Sequence, residues 1–216
     1  AFGGLTHLSG FPGEIPVTPG STSLGDYISG LFGVVGVMMA LRHRDATGQG
    51  QVIDLGLFES VFRMLDELAP RYAREKFIRN PEGSGTVNAC PHGHFPTFDG
   101  KWVAIACTTD KMFKRLCQAM DQGGGEIGDN LFKAYAKQSV RLNNSEKVIG
   151  AVNHWTSSLD RDLLMQVCIN FEVPIGPINT IADIFDDPHY KARGALTSIV
   201  LEDLGEIMVP SPLPKL

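Results

Sequence analysis

From Asp26 to Arg44 the chain reads as one helix with apolar residues on almost every side, and no other segment constrains the fold as strongly. Ile28, Leu31, Phe32, Val34, Val35, Val37, Met38, Met39 and Leu41 nearly surround its axis. That pattern predicts burial rather than a half-wet amphipathic surface. A second stripe runs through Ser29, Gly33, Gly36 and Ala40 at three- and four-residue steps. Each helical glycine costs about 1 kcal/mol relative to alanine, so the close approach of another stretch of chain has to offset the stripe. Close packing along that line is therefore expected.

Asp26 opens this helix. Ser23 and Asp26 stand three apart, an acidic variant of the capping box, and the first-turn N–H groups and helix dipole complement a carboxylate there. An S-x-x-D pattern is ordinarily a cap contributing on the order of 1 kcal/mol. Here Gly25 and Gly30 flank the acid and leave little side-chain bulk over it, so a ligand can reach the carboxylate. A helix start that stays approachable suits an anion or a reacting oxyanion. Asp26 is accordingly the candidate catalytic residue, a nucleophilic carboxylate.

Composition excludes several alternatives. The net charge of −5 and the lack of any Lys/Arg run longer than two residues argue against nucleic acid as a partner. The apolar helix is interrupted by Gly30, Gly33 and Gly36 and ends in Arg42-His43-Arg44, so it is read as a core helix with no membrane partner. Cys90, Cys107, Cys117 and Cys168 are irregularly spaced and include no C-x-x-C pair, which predicts reduced thiols and a cytoplasmic protein. Cys117 and Cys168 fall on apolar helix faces and are expected in a core. Cys90-Pro91-His92-Gly93-His94 could suggest a metal site; we read it instead as loop or strand, with no metal expected. The chain opens on Ala1-Phe2-Gly3-Gly4 without a Met and closes on a proline-rich run to Leu216, so a piece of a longer protein is expected.

Residues 1–22 read as a short helical end and a Gly/Pro loop. Gly48 and Gly50 then turn the chain into an expected short strand, Gln51–Leu55. A helix from about Gly56 carries Leu57, Phe58, Val61, Phe62, Leu65 and Leu68, with Pro70 kinking or shortening it. The charged, then glycine-containing run that follows reads as a linker, set at 77–85. Beyond it, His94–Thr97 and Lys101–Ala106 flank Asp99-Gly100 as a hairpin, and Thr108 or Thr109 caps a helix with Met112, Phe113, Leu116 and Met120 inward. That helix stops at Gly123-Gly124-Gly125, a flexible helix end rather than a phosphate loop, because no Gly-Lys-Ser/Thr follows. Helices are expected at about Leu131–Lys137, Ser145–Ser157 and Asp160–Asn170, and Val173–Ile178 is extended. Thr180 opens a capping box over Ile181–Phe185, a helical turn follows Asp187-Pro188, and a hairpin pairs Leu196–Leu201 with Ile207–Pro210. The whole reads as α/β or α+β without a repeat.

The run Thr22-Ser23-Leu24-Gly25-Asp26-Tyr27-Ile28-Ser29-Gly30, with Thr47-Gly48-Gln49-Gly50-Gln51-Val52-Ile53-Asp54 downstream, resembles the class III coenzyme A transferases. That group includes formyl-CoA and carnitine CoA-transferases and the related α-methylacyl-CoA racemases. Phe98-Asp99-Gly100-Lys101-Trp102-Val103 is similar to the family's Asp-Gly hairpin. Val173 to Thr180, Asp187-Pro188-His189 and Ala192-Arg193-Gly194 are similar to its segment near the return to the large domain. The resemblance implies an α/β fold, with residues 1–76 part of a Rossmann-like large domain, 77–85 a linker, 86–185 a smaller α+β domain and 186–216 a return segment. It further implies an interlocked homodimer, and an N-terminal Rossmann-like segment, bearing much of the CoA-binding surface, beyond this chain.

By that resemblance Asp26 is the catalytic aspartate. It attacks an acyl-CoA thioester to form a mixed anhydride, becomes an aspartyl-CoA thioester, and passes CoA to a carboxylic acid acceptor through a second anhydride. Coenzyme A is then a substrate thioester, with no cofactor held tightly. The family's glycine-rich lid would fall at Gly83 to Pro91, where the glycines are fewer and displaced; Asn88, Ala89 and Cys90 are the lid positions implied. Two further functions stay open. One is racemisation of a 2-methylacyl-CoA, with Asp26 as acid/base partner to a histidine upstream of this chain. The other is an inactive dimerisation fragment.

Overall fold

The computed structural model describes residues 2–20, 23–122 and 124–215. Ala1 and Leu216, Thr22 of the first motif and Gly123 of the triple glycine lie outside them. The chain divides into two compact units, one up to Asn88 and one from Ala89 onward.

The first unit is helical: α1 Leu5–Leu8, α2 Leu24–Thr47, α3 Leu57–Arg63 and α4 Leu68–Glu75. α2 is longer than expected at both ends. At its C-terminus Gly48 takes a left-handed φ of 73° and donates its N–H to the Arg44 carbonyl at 2.7 Å. Residues 51–57 return along the small-residue stripe. An ideal Cβ on Gly36 would lie 3.3 Å from Ile53 Cγ2, and one on Gly33 would lie 3.8 Å from Leu55 Cδ2. The Ser29 hydroxyl donates to the Leu57 carbonyl at 3.4 Å. The close approach demanded by the stripe is therefore made by the chain's own next segment.

Three expectations for this unit need correction. Gln51–Leu55 is an extended strap, not a strand; it lies on a helix, which offers no ladder of backbone donors and acceptors. Pro70 does not break the helix that begins near Gly56. The break comes earlier, between Met64 and Glu67, where Asp66 has a φ of 50°, and Pro70 sits in the first turn of α4, where no intrahelical N–H bond is lost. Finally, α2 is not buried. Ser29 is its one buried residue, while Leu31 and Met39 are 69% and 68% exposed. The strap and α3 reach a single face, and the rest of the apolar surface is left open.

The second unit is α+β. β1 His92–Pro96, β2 Trp102–Ala106 and β3 Ile175–Pro177 form an antiparallel sheet in that order, with Pro96 opposite Trp102 and His92 opposite Ala106. Around it run α5 Asp110–Met120, α6 Ile127–Tyr135, α7 Gln138–Leu142, α8 Ser145–Thr156 and α9 Arg161–Asn170. α10 Ile181–Asp186 and α11 Pro188–Ala192 lead to a separate hairpin, β4 Leu196–Leu201 and β5 Gly205–Pro210.

The Asp-Gly hairpin forms as the sequence predicts, with Gly100 at φ 72°. Period two on the strands puts Phe95, Val103 and Ile105 inward, and the helical period puts Phe113, Leu116, Val148, Val152 and Leu164 against them. Each such side chain contributes about 1.5–3 kcal/mol of burial. Thr109 is the cap of α5, accepting from the Met112 N–H at 3.2 Å. Thr180 and Asp183 form the reciprocal box that opens α10. α7 is the one helix of this unit that the sequence reading omits.

Candidate active site

Asp26 is the third residue of α2 and is solvent-exposed. The capping box anticipated with Ser23 does not form: the Ser23 side chain makes no cap hydrogen bond. Its backbone, at φ −75° and ψ 58°, lies outside the extended region that aims a capping oxygen at the first-turn N–H groups. Among the described residues no hydrogen bond or ion pair holds the Asp26 carboxylate. An acid in that condition has its lone pairs free for an electrophile.

The two flanking glycines do different things. A Cβ on Gly30 would meet nothing within 4 Å, so that side is open, whereas a Cβ on Gly25 would lie 3.6 Å from Val61 Cγ2. Gly25 faces α3, and α3 is itself seated on the N-terminal segment. A Cβ at Gly3 would come within 2.9 Å of both the Phe58 carbonyl and Val61 Cβ, and the Phe2 ring meets Phe58 edge-on at 5.1 Å. A mainly apolar cleft of about 410 Å³ lies in the same unit, lined by Phe2, Leu8, Phe62, Leu65, Tyr72 and Ile78 among others.

Of the three lid positions, Asn88 is exposed, and its backbone N–H donates to Thr86 Oγ1 at 3.3 Å. Ala89 and Cys90 are buried in the second unit. Burial raises the Cys90 thiol above its ordinary value, against the pull of the Arg141 charge. The other three thiols are pushed up to about 12, desolvation being the main cause for each. Cys117 and Cys168 are core residues, as their helical positions predict.

Sequence reasoning missed Arg141, which is fully buried. Its Nε donates to the Cys90 carbonyl at 2.6 Å, and Nη1 donates to the carbonyls of Tyr135 and Ala136 at 3.0 and 2.7 Å. Nη2 pairs with Asp110 at 2.9 Å, and the guanidinium lies 4.3 Å from the centre of the Phe113 ring. One side chain thus ties the chain entering β1 to α5 and to the end of α6. Nothing in Ser139-Val140-Arg141-Leu142 distinguishes it from a surface arginine.

A second polar cluster joins the hairpin to α9 and α10. Asp99 accepts from Thr97 Oγ1 at 2.6 Å and from the Arg161 N–H at 3.2 Å, while the Arg161 guanidinium reaches Asp183 at 3.3 Å. The Thr97 hydroxyl is the main cause that holds Asp99 down at about 2, and the Thr180 hydroxyl likewise lowers Asp183. Arg161 and Asp183 edge an open cleft of about 760 Å³. Among the described residues no three His, Cys, Asp or Glu side chains converge as a metal-ligand set.

Residues 1–216 match the family model for CoA-transferase family III. The chain is 51% identical to the succinyl-CoA–L-malate CoA-transferase alpha subunit of Chloroflexus aurantiacus, over all of this chain and 50% of that protein. It is 49% identical to the beta subunit from the same organism, again over all of this chain and 53% of the relative. The crystal structure of a CaiB/BaiF family protein from Brucella suis superposes with a TM-score of 0.74 at 31% identity, covering 99% of this chain and 57% of that one. The chain therefore spans about half the length of the curated relatives it matches.

Proposed function

The chain belongs to CoA-transferase family III, and from that premise we propose that it carries the nucleophile of an enzyme that moves coenzyme A from succinyl-CoA to a carboxylic acid. The observation that carries the reading is Asp26: an exposed carboxylate with no partner among the described residues, in the first turn of α2 with open space at Gly30. Identity of 51% and 49% to two subunits named for succinyl-CoA and L-malate supports that donor and a hydroxy-dicarboxylic acceptor.

In this mechanism an Asp26 oxygen attacks the thioester carbon, the C–S bond breaks and CoA thiolate leaves, giving an anhydride of Asp26 with the succinyl group. The thiolate attacks the Asp26 carbonyl, releases succinate and forms the aspartyl-CoA thioester. An acceptor carboxylate displaces the thiolate as a second anhydride. The thiolate then attacks the acceptor's acyl carbon, and Asp26 returns as a carboxylate. No proton is gained or lost over the cycle, so Asp26 needs no partner base. It needs water kept from the anhydrides, a role assigned to the segment through Asn88, Ala89 and Cys90. Because Ala89 and Cys90 are core side chains, the moving part would be the chain from Gly83 to Asn88. Residues 1–76 would belong to the large domain, 77–85 to a linker, 86–185 to the small domain and 186–216 to the return segment. Likeness to paired subunits supports an assembly with a second chain of the same family, a homodimer being the simplest.

The test is to incubate the full-length enzyme with succinyl-CoA, add hydroxylamine and map the modified residue by mass spectrometry. A hydroxamate at Asp26 is expected. Asp26→Asn, which keeps a side chain tolerated at helix starts, should lower turnover by at least about 10³-fold with the fold intact. Retained turnover in that variant would remove the assignment. Deuterium exchange at the acyl α-carbon without CoA movement to L-malate would instead indicate racemisation.

A further inference from the structure

Because no side-chain contact holds Asp26 among the described residues, its position is inherited from the backbone of the turn that bears it. Two neighbours back that turn. Gly25 faces Val61, whose Cγ2 would stand 3.6 Å from a Cβ at that position, and Ser29, the one buried residue of α2, donates its hydroxyl to the Leu57 carbonyl at the start of α3. At about 100° per residue Asp26 lies some 60° round the helix from Ser29 and about 100° from Gly25, beside the supported face but off it. The support is itself packed: Val61 and the Phe58 carbonyl are closed against Gly3, where no Cβ would fit. Glu59 closes the first turn of α3, accepting from the Gly56 N–H at 2.9 Å.

We infer that α3 is the rest that sets the reach of the nucleophile, with Val61 and Ser29 as positioning residues for Asp26. The inference rests on Asp26 being the nucleophile. The attack must bring a carboxylate oxygen to about 3–3.5 Å from the thioester carbon, and an error of about 1 Å costs roughly 10²-fold in rate. A turn supported from one side, with the carboxylate otherwise unheld, transmits any retreat of α3 directly to that distance.

The experiment compares Val61→Ala, Val61→Thr and Ser29→Ala in the full-length enzyme, assayed well below each Tm with succinyl-CoA and L-malate. Val61→Ala removes the Cγ2 methyl that faces Gly25 together with Cγ1, which faces Gly3, and should lower kcat by about 10- to 100-fold while KM for succinyl-CoA changes less than about twofold. Val61→Thr keeps the branched shape, so kcat should stay within about threefold of wild type even where Tm falls. Ser29→Ala should lower kcat severalfold without moving KM. If Val61→Ala keeps wild-type kcat while Asp26→Asn is inactive, the positioning role is overturned and the nucleophile stands. Equal loss of kcat in Val61→Ala and Val61→Thr, tracking Tm, also overturns it by showing a general structural effect. Turnover by Asp26→Asn removes the nucleophile and the inference together.

Discussion

Arg141 is where a single residue carries most in the second unit, because three backbone carbonyls accept from one guanidinium with no exposed surface, which also pairs with Asp110. Replacing it by Met nearly keeps the volume but takes this donor from the three carbonyls, while Asp110, 46% exposed, keeps the Gln138 N–H at 2.8 Å. Arg141→Met should therefore lower the unfolding free energy by about 3–5 kcal/mol, measured by urea denaturation followed at Trp155. Asp99 and Asp183 make a different demand, on pH. Both carboxyls are held below their ordinary range in the fold, so their contribution is present above the unfolded value near 4 and is lost as pH falls below it, toward about 2 for Asp99. Thr97→Val removes the main cause at Asp99. Its carboxyl should then titrate closer to 4 by NMR, and acid unfolding should begin at a higher pH than in wild type. An unchanged titration would show that Arg161 and Lys101 suffice. At this scale the capping threonines Thr109 and Thr180 were legible, because a cap acts within four residues of itself. Arg141 was not, since its partners Cys90 and Asp110 are 51 and 31 residues away.

Elements were legible wherever one period dominated. The hairpin around Gly100, the inward stripe of α5 and the box at Thr180 all form as read. The strap failed because Gln51 to Leu55 has a strand's composition, while a strand also requires a neighbour's backbone. Ile53 and Leu55 found a helix's small-residue stripe first. The triple glycine shows the same limit. Its described residues, Gly124 and Gly125, lie between α5, which ends at Met120, and α6, and that next helix is locked by pieces the pattern does not display. Asp121 accepts from the N–H groups of Gly128 and Asp129, both at 2.7 Å, and so fills the start of α6 with a protein carboxylate. A Cβ on Gly128 would lie 1.9 Å from the Cys117 carbonyl. Gly128→Ala should consequently separate α5 from α6 and cost more than about 3 kcal/mol, read as a loss of Tm and of near-ultraviolet dichroism. A wild-type Tm would mean that the two helices can part without loss.

For the whole molecule the open question in the sequence was what an all-round apolar helix packs against. Among the described residues only the face bearing Gly25, Ser29, Gly33 and Gly36 is covered, and Leu31, Val34, Met38 and Met39 remain in solvent. A continuous apolar surface of that kind drives association. The 216-residue chain should bind anilinonaphthalene sulfonate and show concentration-dependent association in sedimentation velocity. Val34→Lys with Met38→Lys should suppress both. A monodisperse, dye-silent chain would mean that the surface is covered in a way the fold does not display. The sequence by itself determined the family likeness, most of the helices and hairpins and the candidate nucleophile, because motifs, caps and periods are written in residues close together along the chain. Only the tertiary structure decided that Asp26 stands without a cap partner among the described residues, that α3 lies behind its turn, that Arg141 joins the second unit and that most of α2 is left uncovered. The support, the buried arginine and the uncovered face are each a contact, or the want of one, between segments far apart in sequence, and no local pattern fixes which surface such segments will meet; the missing cap turns on the backbone angles of Ser23, which its sequence does not fix.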